Sequence, residues 1–209
     1  MRGAFITLEG TEGVGKTTCL DFVREFLAST DIPALVTREP GGTALGEKIR
    51  DWILLGDHGD LSAETETLLM FAARAYHLEK VIRPALAAGR WVICDRFSDA
   101  TVAYQGGGRR ADPGWIKSLR AAVHSDLEPD LTLLLDAPVE VGLDRIRMRA
   151  PDHFEREDPE FFARVRAAYL GLARDEPGRI KVIDAATPLD DVKARISGHM
   201  TAFLEEFSI

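Results

Sequence analysis

Gly10-Thr11-Glu12-Gly13-Val14-Gly15-Lys16-Thr17 is the segment whose residue types and spacing most directly imply chemistry. A glycine, four residues and then Gly-Lys-Thr describe a loop whose backbone amides converge on phosphate oxygens. Gly10, Gly13 and Gly15 allow the turn, Thr11 and Val14 contribute backbone, and the helix that follows, with Thr18 in its first turn, adds a positive dipole end. Lys16 then reaches the β- and γ-phosphates of ATP, and the Thr17 hydroxyl ligates Mg²⁺. Glu12 is the odd member, because a carboxylate inside such a cradle repels polyphosphate. It either faces an acceptor and takes a hydrogen bond from a substrate hydroxyl, or is a solvated loop acid.

Other candidates sit at strand ends or on shared helix faces. Arg38 follows an apolar strand, at the edge where open α/β sheets bind ligands. Phe71 and Arg74 are three apart on a helical stretch and share a face. Asp95-Arg96 ends the apolar run Trp91-Val92-Ile93-Cys94. A carboxylate there suits an outer ligand of Mg²⁺, and a guanidinium suits phosphate oxygens. Asp136 also ends an apolar strand, so position alone does not choose between the two acids. Thr101 and Gln105 share another helical face, with Tyr104 adjacent. Arg145 and Arg149 lie one turn apart, while Arg147 points elsewhere.

The elements that must position these residues alternate. Short apolar runs at 3–8, 33–37, 91–95, 131–135 and 180–184 read as buried strands. Helical periodicity covers 15–29, 43–55, 63–88, 98–105, 113–125, 139–149, 158–174 and 188–206. Pro84 is expected to kink the third helix or mark a junction, since it removes an amide donor. The pattern predicts one α/β P-loop domain over residues 1–209: a five-stranded parallel sheet flanked by helices, with right-handed crossovers and a charged lid segment near 147–158. The net charge of −8 in 209 residues argues against a nucleic-acid polymer as partner. Two cysteines make no disulfide framework, the start is too short in apolar residues for a signal peptide, and no run is long enough for a membrane helix. These features lead to the expectation of a reduced, cytoplasmic protein.

With the cradle, five further stretches carry a resemblance along essentially the whole chain. They are Thr37-Arg38-Glu39-Pro40-Gly41-Gly42-Thr43, Leu69-Met70-Phe71-Ala72-Ala73-Arg74, Asp95-Arg96-Phe97-Ser98, Ala103-Tyr104-Gln105-Gly106-Gly107-Gly108-Arg109 and Pro129-Asp130-Leu131-Thr132-Leu133. In this order they resemble the bacterial thymidylate kinase family. The resemblance implies ATP and thymidine monophosphate (dTMP) as substrates, Mg²⁺ as cofactor, and a homodimer formed through the helix at 63–88. It implies that Arg38 and Arg96 contact the acceptor phosphate, that Phe71 stacks on thymine, and that Arg74, Thr101 and Gln105 bond its edge. Tyr104 then crowds the sugar 2′ position, Glu12 meets the 3′-hydroxyl, and Asp95 rather than Asp136 serves the metal, leaving Asp136 to cap the next helix. Because the cradle lacks an arginine, Arg149 at the start of the lid is expected to stabilise the transferring phosphoryl group, with Arg145 beside ATP. The family's usual Asp-Arg-[Ile/Phe]-Glu reads Asp152-His153-Phe154-Glu155 here, and His153 is expected to be a solvated loop substitution.

No Asn-Lys-x-Asp occurs, so a guanine-specific switch is disfavoured. The alternatives that remain are another deoxynucleotide or nucleoside kinase and a non-enzymatic P-loop nucleotide switch.

Overall fold

β1 (Phe5–Glu9) is the central strand of the protein's sheet. The computed structural model describes residues 2–55, 61–147 and 153–207. Four further strands, β2 (Ala34–Arg38), β3 (Trp91–Asp95), β4 (Leu131–Asp136) and β5 (Ile180–Asp184), complete a sheet of order β2-β3-β1-β4-β5. Every pairing is parallel, with Leu8 opposite Asp95 and Leu133, and Arg38 opposite Asp95. The carboxyl ends of the strands therefore share one edge, where ligands of open α/β sheets bind.

Alternation along the strands divides the core. Ile6 and Leu8 of β1, Ile93 of β3 and Leu133 of β4 face α1 (Lys16–Ser29) and α9 (Leu189–Phe207), packing on Val23, Leu27, Ile196 and Met200. Phe5, Val92 and Cys94 point the other way, toward Leu78, Ile82 and Leu86. Leu134 meets Tyr104 and the inner face of α8 (Pro159–Asp175), which carries Val165 and Tyr169. A fully buried side chain of this kind contributes roughly 1.5–3 kcal/mol over its exposed state.

The five strands and the helical segments lie close to their predicted spans, with α2 at Ala44–Leu55, α6 at Pro113–His124 and α7 at Val139–Ile146. The stretch 63–88 is broken near its proline, as expected. α3 (Ala63–His77) passes into a wide π turn (Leu78–Ile82) and then into α4 (Arg83–Ala87). Arg83 N–H donates five residues back, to the Leu78 carbonyl, so the Pro84 ring is accommodated. The predicted helix 98–105 runs further: α5 (Ser98–Thr101) continues as a π turn from Val102 to Gly108. Asp136 does not cap α7. Pro138 precedes that helix without a side-chain cap, and Asp136 instead takes both Nε and Nη2 of Arg166, at 2.6 and 2.8 Å.

Candidate active site

The phosphate loop leaves the end of β1 and is shaped by close backbone approaches. Gly13 has φ 70°, and a Cβ there would sit 2.0 Å from the Gly142 carbonyl of α7. Gly142 in turn leaves room for the Glu12 carbonyl. Gly10, with φ 138°, packs in the same way on the Leu135 carbonyl. α1 opens from Gly15 in the left-handed region, with no side-chain cap and no acid in its first turn. α3, α6 and α8, by contrast, are capped by Ser62, Asp112 and Asp158. The amides at the head of α1 are thus left to an anion. Lys16 folds over the loop and donates to the carbonyls of Gly10 (3.1 Å) and Thr11 (2.6 Å). Burial, helped by the Arg96 cation, lowers its pKa to about 8.

A cavity of about 460 Å³ runs from this loop along the carboxyl edge of the sheet. Glu12, Gly13, Gly15, Lys16, Thr17 and Thr18 form one end, with Arg145 beside them. Arg145 donates to the carbonyls of Gly13 (3.4 Å) and Ala185 (3.1 Å). Arg74, Thr101 and Gln105 form the other end, and Asp95, Arg96 and Tyr104 lie between. Gly10, Thr11 and Val14 are buried and do not line the cavity. Arg149 lies outside the described residues.

Arg96 is held from several sides. Its φ of 67° lies in the left-handed region, just past β3. Its Nη2 donates to Glu12 Oε1 at 2.9 Å, its Nη1 to the Tyr169 hydroxyl at 3.3 Å, and its guanidinium lies 4.7 Å over the Tyr104 ring. Tyr104 donates to the second oxygen of Glu12 at 2.5 Å. Glu12 therefore points into the cavity and is not a solvated loop acid.

Behind Arg96 sits Glu9, fully buried, 2.7 Å from both the Tyr169 hydroxyl and the Phe97 N–H. Burial, and then the charge of Asp99, raises its pKa from 4.5 to about 8. An unfolded glutamate releases its proton near 4.5, whereas folded Glu9 keeps it to about 8. The fold thus binds the extra proton between these values and loses stability as pH rises through them. Glu9→Gln removes that loss. Its melting temperature relative to the wild type should climb between pH 5 and pH 8, by ~2–4 °C for each kcal/mol in a chain of this size. A gap that stays constant with pH in thermal melts would contradict a protonated Glu9.

At the far end, Arg74 is almost fully buried between the rings of Phe71 and Phe97, 4.9 and 5.1 Å from their centroids. Its Nε donates to Glu39 Oε2 at 2.7 Å, and its Nη2 to the Phe97 carbonyl and Thr101 Oγ1, both at 3.0 Å. Its Nη1 is buried with no partner among the described residues. Burial favours a neutral Glu39, but Arg74 and His77 outweigh it and hold the carboxyl below its usual range.

Two expected residues are not on the cavity wall. The Phe71 ring lies behind Arg74, clustered with Ala111 and Ile116 and stacked on His124; sharing a helical face with Arg74 has put it under the guanidinium. Phe97 lines the cavity instead. Arg38 is exposed and paired with Glu47 at 2.7 Å, while Arg50 of the same helix as Glu47 lines the cavity. Burial and the nearby charges of Arg38 and Arg96 depress the pKa of Arg50, the mark of a locally cationic edge suited to an anionic group. Neither Arg50, Glu39 nor Glu9 was singled out from sequence.

For a metal, Asp95 Oδ1 is the informative atom, being buried, at the cavity and without a partner among the described residues. Within the same residues no group of three or more His, Cys, Asp or Glu side chains could hold an ion. One carboxylate and one hydroxyl, Asp95 and Thr17, instead fit Mg²⁺, which takes few protein oxygens and completes its shell with phosphate and water.

His153 is not solvated. It is mostly buried, its Nε2 3.0 Å from Arg109 Nη2 and its backbone N–H bonded to the Leu54 carbonyl at 3.1 Å.

A parallel sheet of this strand order, with a Gly-Lys-Thr loop between β1 and α1 and a second ligand end across the same edge, is the architecture of a P-loop nucleotide kinase. The model of the thymidylate kinase family matches residues 8–196. The chain belongs to the thymidylate kinase family. It is 55% identical over 203 residues to the thymidylate kinase of Methylococcus capsulatus, covering 97% of each chain. It is 51% identical over 206 residues to that of Pseudomonas syringae pv. tomato, covering 98% of each. The crystal structure of thymidylate kinase from Ehrlichia chaffeensis superimposes with a TM-score of 0.78 at 33% identity, covering 96% of this chain and 99% of that one.

Proposed function

We propose that this protein transfers the γ-phosphoryl group of ATP to dTMP, giving ADP and dTDP. The observation that carries this reading is the cavity with a phosphate loop at one end and a buried, hydrogen-bonding Arg74–Thr101–Gln105 end at the other. A phosphate oxygen of dTMP bonds to the γ-phosphorus while the bond to the β-phosphate oxygen breaks. That oxygen is already anionic, so the site needs no strong base, and alignment and charge neutralisation are the protein's contribution.

The cradle and Lys16 hold the donor phosphates, and Arg145 borders them. Arg96 and Arg50 orient the acceptor phosphate, with Arg38 reaching it from the rim. Glu12 takes the sugar 3′-hydroxyl, and Tyr104 fills the space a 2′-hydroxyl would need. Arg74 donates to the base through its unpartnered Nη1. Thr17 and Asp95 would hold Mg²⁺, which when bound spreads the charge on the β- and γ-phosphates. Arg149 is assigned the charge that develops on the transferring group.

We also assign a cytoplasmic homodimer. The two cysteines, Cys19 and Cys94, are unbridged, and no helix among the described residues is long and apolar enough to cross a membrane. Leu68 and Tyr76 of α3 are exposed apolar residues available to a second copy.

ADP release from ATP–Mg²⁺ with a panel of monophosphates and nucleosides tests the reaction, with dTMP expected to be strongly preferred. In the same assay Arg74→Ala should raise KM for dTMP roughly 10–100-fold, the cost of leaving a base carbonyl without its donor. KM for ATP should not change. A defect confined to ATP would place the base elsewhere.

A further inference from the structure

Glu66 of α3 is fully buried, yet it has no part in the chemistry above. One of its oxygens, Oε1, lies 2.7 Å from Gln105 Nε2. The other, Oε2, takes Nε of Arg109 at 3.3 Å. Arg109 is itself fixed: its guanidinium lies 5.1 Å over Phe161 and 5.6 Å over Phe154, and it bonds Glu157 and His153.

A carboxylate paired with a guanidinium only accepts hydrogen bonds. Glu66 therefore decides which end of the Gln105 amide faces it, and the NH₂ must. The carbonyl Oε1 is left for the cavity that Gln105 lines. Arg74 lines the same cavity, and its Nη1, without a partner among the described residues, offers a donor. Donor next to acceptor is the complement of a ring carbonyl next to a ring N–H. Thymine and uracil present that pair at C4 and N3, whereas cytosine presents an amino group and a bare nitrogen.

We infer that Glu66 is a positioning residue for base selection, holding the Gln105 amide so that the site takes a pyrimidine with an N3–H and refuses one with an N3 acceptor. The inference rests on the dTMP kinase reading. It also states what the isosteric Glu66→Gln would do. Arg109, which has only donors, claims the new amide's oxygen, and the new NH₂ then faces Gln105. Gln105 must turn over to meet it, presenting its own NH₂ to the base.

The test compares kcat/KM for dTMP and dCMP in wild type, in Glu66→Gln, and in the exchange Glu66→Gln with Gln105→Glu. The single change should lower kcat/KM for dTMP ~10–100-fold, as expected for a donor set against a donor in a buried site. The dTMP-to-dCMP ratio should fall by a similar factor, with KM for ATP unmoved. The exchange keeps the net charge. The amide introduced on α3 then donates to the carboxylate introduced on the π turn, whose second oxygen accepts the N3–H. Most of the dTMP activity and the ratio should therefore return. An unchanged ratio in Glu66→Gln, or a loss the exchange does not recover, would overturn the inference while leaving the kinase reading intact. A wild type that ignores dTMP would instead overturn the kinase reading, and the inference with it.

Discussion

Lys16→Ala should reduce kcat by about 10²–10³-fold or more, the range seen when one preorganised charge donor is removed from a transferring centre. It should do so without harming the fold. Lys16 is held at a pKa of about 8 by burial, so its ammonium, still the main form at neutral pH, carries a desolvation cost in the folded protein. Replacing it removes that cost, which offsets the two hydrogen bonds to Gly10 and Thr11 that are lost. Melting temperature should therefore stay level or rise while turnover collapses. The wild type carries a second signature of the same lysine. Bound polyphosphate stabilises the ammonium, so ATP binding draws a proton onto Lys16 wherever the unliganded protein has begun to lose it. Affinity for ATP should weaken as pH rises through about 8, and the Lys16→Ala variant should lack that limb. Calorimetric titrations at pH 7 and 9 separate the cases, and near-normal turnover by the variant would remove the phosphate loop from the mechanism.

Arg96→Ala should be nearly as severe, with a different kinetic profile. It removes the guanidinium proposed to orient the acceptor phosphate, and it also releases Glu12 and Tyr104, which it binds and covers. Among the described residues Glu12 then has no cation in contact, and its negative charge opposes the incoming monophosphate. We expect kcat/KM for dTMP to fall by roughly 10²–10³-fold, with KM for ATP little altered. Arg96→Lys should not rescue it, because a single ammonium cannot serve Glu12, Tyr169 and a phosphate from one planar fork. Rescue by lysine to within a few-fold of wild type would mean that charge alone, not geometry, is what Arg96 supplies.

What sequence made legible follows from the range of the interactions involved. The strands and the phosphate loop depend on local patterning, and both lay where the residues placed them. The π turns at 78–82 and 102–108 differ from an α-helix only in which carbonyl each amide chooses, and periodicity over so few residues does not register that. Arg74 was visible as a charge on an apolar face. Its partner Glu39 is 35 residues away, and nothing local to Glu39 marks it as that partner. Glu9 and Glu66 read as ordinary polar positions, because one glutamate looks like another until the fold decides which is dry. Phe71 shows the converse: a correct shared face with Arg74 did not reveal that the arginine lies between the ring and the cavity.

The central place of β1 also governs how the chain can be made. Of the five strands it is the first to be synthesised, yet its neighbours in the sheet begin at residues 91 and 131, while β2, the next of them, lies beyond β3. At roughly 5–20 residues per second, β1 waits on the order of ten seconds for the strand on its second edge. Throughout that interval Phe5, Ile6 and Leu8 have no finished core to enter, and the strand's unpaired edges invite association with other chains. The nascent chain is thus most exposed to aggregation before β4 emerges, and a stall in translation between residues 95 and 131 would prolong that exposure more than one after β4.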